Sequence, residues 1–206
     1  MSKEREYRGA CGSLTVEQRA DARDVITGYA AVYNSDSVDL GFFTEVIRPG
    51  AFKRALQESQ DVRALLDHQT GKIIGRTKAG NLSLSEDERG LRVELSPIDT
   101  EDGRTAVEWV RSGVVDGFSF GFQTVSDKWG TKGGRAYREL LDVDLFEVSL
   151  VAFPAYPATS AGLRAEHLSS AELVWKEREL VEQAAEAERQ RKRASLERRM
   201  RLLLSI

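Results

Sequence analysis

Gly113-Val-Val-Asp-Gly-Phe-Ser-Phe-Gly-Phe122 is the stretch whose reading decides the fold. Within it Phe118, Phe120 and Phe122 alternate with Gly117, Ser119 and Gly121. Successive residues of a strand point to opposite faces, so the three phenylalanines would anchor one face in a core. The other face then carries one hydroxyl with a glycine two residues away on each side. Glycine weakens a strand unless something must approach its backbone closely. A serine on a strand held rigidly from behind, in a groove cleared by glycine, has what a nucleophile attacking an extended peptide needs. The same pattern also suits a purely structural strand whose small residues pass beneath a neighbouring element.

Reading outward, Asp99-Thr100 can cap a helix with Asp102 in its first turn. Ala106, Val107, Trp109 and Val110 give that helix an apolar side, and Gly113 ends it. After the serine strand, the Gly- and Lys-containing segment 127–134 reads as a loop. The segment 137–152 reads as one or two strands, and Phe153-Pro-Ala-Tyr-Pro157 as an extended exit. Upstream, strands are expected over 24–33, 42–47, 61–68 and 72–77, with a short helix opening at Pro49-Gly50 and a hairpin over 82–95. Residues 1–22 are polar and flexible apart from an edge strand near Ser13–Val16. From Ser169-Ser-Ala-Glu172, a capping box, the composition turns Ala/Glu/Arg/Leu-rich and predicts a long charged helix. The division expected is therefore 1–22 flexible segment, 23–162 globular domain and 163–206 helical tail.

The chain has 206 residues, 41% hydrophobic and 31% charged, with a net charge of −3. That balance permits a core but gives no general attraction to nucleic acid or an anionic membrane. No apolar run reaches the ~18 residues of a membrane span, and the start of the chain lacks the apolar centre of a secretory signal. The single cysteine, Cys11, excludes an internal disulfide and fits a reducing compartment. With two histidines in all, metal sites built from Cys and His are nearly excluded, and no cofactor is expected.

A serine hydroxyl needs a base within hydrogen-bond reach to act as a nucleophile. His167 lies at the root of the polar tail. His68 closes an apolar strand in a domain that otherwise has no histidine, so a serine–imidazole pair here would have to use His68. A third group must orient the ring. In Leu145-Phe-Glu-Val-Ser-Leu-Val151, strict alternation sets Phe146, Val148 and Leu150 against Leu145, Glu147, Ser149 and Val151. A carboxylate buried in such a strand without its partner costs about 3–5 kcal/mol. Glu147 therefore needs a cation, either His68 or a structural arginine such as Arg63 or Arg76. Asp144 and Asp67 are rival orienters, and Ser149 a rival nucleophile with less room around it. No GxGxxG, GxxxxGK[ST] or GxSxG motif is present.

With these residues identified, the chain resembles the prohead (procapsid) maturation proteases of tailed bacteriophages and prophages. The matching stretches are Gly28-Tyr-Ala-Ala-Val-Tyr-Asn34, Glu45-Val-Ile-Arg-Pro-Gly-Ala-Phe52, Leu65-Leu-Asp-His68, Ile74-Gly-Arg76, Gly117-Phe-Ser-Phe-Gly-Phe122 and Phe146-Glu-Val-Ser-Leu-Val-Ala-Phe-Pro-Ala155. They run in the family's order over roughly residues 24–160. The resemblance implies an α+β fold like that of herpesvirus assemblin: a small, mostly antiparallel β-barrel flanked by helices, followed here by the helical tail. It implies a serine endopeptidase acting in the bacterial host cytoplasm, inside the assembling procapsid. Its substrates would be the major capsid protein or a scaffold protein, and the enzyme itself. Ser119 matches the nucleophile and His68 the base. Assemblin's third member is a second histidine, which this domain lacks, and the matching strand offers Glu147. A homodimer is implied by the same analogy. The rival readings are a non-catalytic capsid assembly or scaffolding protein on a protease-like domain, and an unrelated binding module in which His68 and Ser119 never meet.

Overall fold

The computed structural model describes residues 5–11, 14–19, 24–37, 39–40 and 42–152, all within one compact unit spanning Met1–Thr159. The expected exit segment 153–157 and the helical tail lie outside the described residues. Along the chain come β1 (Glu6–Cys11), β2 (Thr15–Gln18), β3 (Asp24–Val32), β4 (Phe43–Ile47), α1 (Lys53–Gln57), β5 (Arg63–Leu66) and β6 (Gln69–Arg76). There follow β7 (Leu82–Glu86), β8 (Gly90–Leu95), α2 (Glu101–Arg111), β9 (Gly117–Lys132) and β10 (Arg135–Val151).

Two sheets form, and neither closes into the expected barrel. One runs β1-β9-β10-β5-β6, with β4 also paired to β10, and the other runs β2-β3-β8-β7. Closure requires the outer strands of one sheet to hydrogen-bond each other. Here β1 and β6 edge the first sheet while β2 and β7 edge the second. The sheets share a core instead. Ile26, Ala30, Leu91, Val93 and Leu95 come from the second sheet, and Phe118, Phe120, Phe122, Val148 and Leu150 from the first. Ala106, Val107 and Val110 of α2 join them. Thr100 caps α2 as expected, its side chain accepting from the Gly103 N–H at 3.2 Å. Pairing is mostly antiparallel, but β4 and β5 both run parallel to β10.

β10 is the strand on which the site depends. Its first part pairs with β4 through residues 136–140, and its last part with β5 through residues 147–150. Along almost its whole length it pairs with β9. Segment 127–134, expected as a loop, is strand to Lys132, and the chain reverses through Gly133-Gly134, both at positive φ. Such two-residue reversals need φ > 0 at both central positions, which glycine adopts without steric cost.

Strict alternation fails in β10 at one place. The register with β9 slips between Leu145, opposite Phe122, and Glu147, opposite Gly121. Phe146 is therefore the extra residue of a bulge. Leu145 and Val148, three apart, both enter the core, and Phe146 is left outside it. The sequence reading had the opposite assignment for Leu145.

The N-terminal region departs most from expectation. Residues 6–11 are a full edge strand on β9, and a second strand follows at Thr15–Gln18. A network of five charged side chains, Glu6, Arg8, Glu45, Asp127 and Arg138, fixes β1. Arg138, 5% exposed, donates to Glu6 (2.6 and 3.0 Å), to Glu45 (3.0 Å) and to Asp127 (2.9 Å). Arg8 donates to Glu45 (2.8 Å) and Glu6 (2.9 Å). Burial, the largest influence on Glu6, would raise its pKa, but the charges of Arg8 and Arg138 and the hydrogen bonds from Arg138 and Thr124 outweigh it and hold it at about 2.

Candidate active site

Ser119, Ser149, Glu147, Gly121 and Tyr7 share the face of the first sheet opposite the phenylalanines. Residues directly opposite in an antiparallel ladder point the same way. The registers set Gly9 beside Ser119 and Tyr7 beside Gly121 on β1, and Ser149 beside Ser119 and Glu147 beside Gly121 on β10. Ser119 is 3% exposed, and its Oγ donates to the backbone carbonyl of Arg8 at 2.8 Å rather than to His68.

His68 reaches this face from the far side of β10. Leu66 and Gln69 are paired, so Asp67-His68 is a two-residue turn between β5 and β6. Both residues have positive φ, 44° and 58°. Non-glycine residues in this region are uncommon, although Asp and His are enriched among them. The Asp67 N–H donates to the Leu150 carbonyl (2.9 Å), and Asp67 Oδ1 accepts from the Ala152 N–H (3.0 Å). These bonds fasten the turn to the end of β10 and turn the imidazole back over the sheet.

There His68 Nδ1 hydrogen-bonds Glu147 Oε1. The same carboxylate oxygen accepts from Ser149 Oγ at 3.2 Å. An ionised carboxylate can only accept, so Nδ1 supplies the proton of this bond and Nε2 is the ring nitrogen left for a nucleophile. The partner that Glu147 required is thus His68. Arg63 and Arg76 both pair with Asp61 instead, at 3.4 and 2.7 Å. Of the rival orienters, Asp144 accepts from Arg54 (2.6 Å) and Gln60 (3.0 Å), and Asp67 serves the turn. Ser149 lies fully buried beside Ser119 and is occupied with Glu147. His167 lies outside the described residues.

Gly121 has a different use from the one the sequence suggested. A Cβ there would stand 2.6 Å from Glu147 Cγ and 3.0 Å from Tyr7 Cε1. The glycine clears space for the carboxylate and for Tyr7. Sequence reasoning missed Tyr7 altogether, because β1 was not expected there. Among the described residues no group of three or more His, Cys, Asp and Glu could hold a metal ion. No helix among them is long and apolar enough to cross a membrane.

The paired sheets and the Ser, His and Glu side chains on one face suit a hydrolase of the serine class. Residues 13–173 match the family described as caudovirus prohead serine protease, and the chain belongs to that family of capsid-maturation proteases. Among solved structures it is similar to the bacteriophage T4 capsid assembly protease, gp21. The TM-score is 0.50 at 11% identity, over 72% of this chain and 96% of that one. At that identity the likeness speaks for the fold. No curated protein matches in sequence.

Proposed function

We propose that this chain is a serine endopeptidase that cuts the major capsid protein or a scaffold protein inside the assembling procapsid of its host bacterium. Ser119 is the nucleophile, His68 the general base and Glu147 the orienting acid. The observation that carries the assignment is the bond from His68 Nδ1 to Glu147, the buried carboxylate on the face that Ser119 shares.

The reaction is acyl transfer. The Ser119 hydroxyl turns from the Arg8 carbonyl toward Nε2 of His68 and attacks the substrate carbonyl as Nε2 takes its proton. Glu147 holds the ring and stabilises the imidazolium. His68 then returns the proton to the leaving amine, and water attacks the acyl-enzyme by the same route. The chain is also a substrate of itself, and residues 23–162 are the protease domain. Analogy with assemblin supports a working homodimer. The shielded, engaged hydroxyl of Ser119 favours a second reading, a non-catalytic assembly protein on a protease-like domain.

A fluorophosphonate probe separates the two. It should phosphonylate Ser119 with loss of fluoride, the adduct mapped by peptide mass spectrometry. His68→Asn should abolish labelling. Absence of any adduct on the wild type, or an adduct that forms equally without His68, supports the scaffold reading.

A further inference from the structure

We infer that Tyr7 is a positioning residue for His68, and the inference rests on the catalytic assignment above. Strand β1 and the turn after β5 are separated by β9 and β10. Three inter-strand steps of about 4.8 Å amount to roughly 14 Å. Nevertheless, the Tyr7 and His68 rings meet edge to face, with centroids 4.6 Å apart and planes at 61°. Two side chains cross this distance because nothing stands between them. Gly121 has no side chain, and Glu147 is bonded to the Nδ1 edge of the imidazole.

The placement of Tyr7 is enforced from both sides. Its neighbours Glu6 and Arg8 point to the opposite face, where Glu45 and Arg138 hold them. Alternation then fixes Tyr7 on the face of His68. At the outer edge the Arg5 guanidinium lies 4.7 Å from the centroid of the Phe146 ring, at the bulge beside Glu147. A residue needed only to cover the sheet would not require a buried ion network on one side and a cleared glycine on the other.

The role follows from the geometry. Glu147 fixes one edge of the imidazole, but a single hydrogen bond leaves the ring free to swing about it. An aromatic wall packed against the ring removes that freedom and holds the imidazole in one orientation. Edge-to-face pairs contribute about 0.5–1.5 kcal/mol beyond the area they bury. The Tyr7 ring packs on the imidazole, so it acts through His68.

The test uses the full chain with Tyr7→Ala and Tyr7→Phe, and reads two quantities. The first is fluorophosphonate labelling of Ser119, resolved into the maximal rate of inactivation and the probe's half-saturating concentration. The second is the NMR chemical shift of the His68 Hε1 proton, assigned with His68→Asn. Tyr7→Ala should slow the maximal rate tenfold or more at an unchanged half-saturating concentration, and should remove the ring-current shift. Tyr7→Phe should keep both within twofold and within a tenth of a ppm. If Tyr7→Ala does not fold, Tyr7→Leu, which keeps apolar bulk without a ring, should lose the shift and at least fivefold in rate. An unchanged rate or an unchanged shift in the ringless variant overturns the inference, as does an equal loss in Tyr7→Phe. A wild type that never labels at Ser119 would instead sink the catalytic assignment, while the chemical shifts would still report whether the rings pack.

Discussion

Gly121 and Glu147 face each other across β9 and β10 so closely that a methyl group on the glycine would lie 2.6 Å from the glutamate's Cγ. The carboxylate occupies the space that the missing side chain leaves, and from there it reaches His68.

Gly121→Ala should therefore displace Glu147 and Tyr7 together. Overpacking of this kind costs about 1–3 kcal/mol. The labelling rate at Ser119 should fall by more than an order of magnitude, while urea denaturation still shows a folded protein. A labelling rate equal to that of wild type would mean that Glu147 does not need this position.

Glu147→Gln keeps the shape and removes the charge that holds the protonated imidazole. Loss of an orienting acid of this kind lowers turnover by roughly ten-thousandfold. His68→Asn should abolish labelling without lowering thermal stability by more than a few degrees, because asparagine tolerates the positive φ of this turn. Circular dichroism melts run beside the labelling assay check both outcomes.

Arg138→Met should be among the most damaging surface-distant substitutions. It leaves Glu6, Glu45 and Asp127 facing one another in a space that Arg138 fills almost without solvent contact. Breaking a buried ion network by removing one partner costs about 3–5 kcal/mol. Denaturant titration gives the value directly. Tyr7 should lose its packing on His68 in the same variant, which the ring-current shift reports.

Acid should loosen β1 first. The Glu6 pKa is depressed, so its contribution to stability is present above the unfolded carboxylate value near 4.5 and is lost as the pH falls toward about 2. Between pH 6 and pH 3 this group alone should cost about 2 kcal/mol. Hydrogen exchange of the β1 amides over that range should show them opening before those of β8 or β10. Exchange that accelerates uniformly across the sheets would contradict the prediction.

Much of this was legible in the sequence, and the exceptions have physical causes. The phenylalanine alternation around Ser119, the Thr100 cap and the hairpin over 82–95 are local signals, and each appears as read. Glu147 could be singled out because a carboxylate in an apolar strand must find a partner, and the partner is one of the two expected. β1 was not legible. Its Glu6 and Arg8 look like solvent-facing residues until Glu45 and Arg138, far along the chain, come to meet them. The charged run 127–134 read as a loop for the same reason, since Asp127 is satisfied by Arg138 and Trp129. The bulge at Phe146 leaves no mark in composition and changes the placement of both Leu145 and Phe146. Strand count and alternation cannot distinguish a closed barrel from two open sheets that share a core, because both bury the same residues.

The most direct test of the catalytic assignment is intact-mass analysis after co-expression with the phage's own major capsid protein. Wild type, Ser119→Ala and Ser149→Ala are compared. Wild type and Ser149→Ala should shorten the capsid protein, the latter more slowly, and Ser119→Ala should leave it at full mass. Capsid protein cut by Ser119→Ala as by wild type would contradict the assignment of the nucleophile.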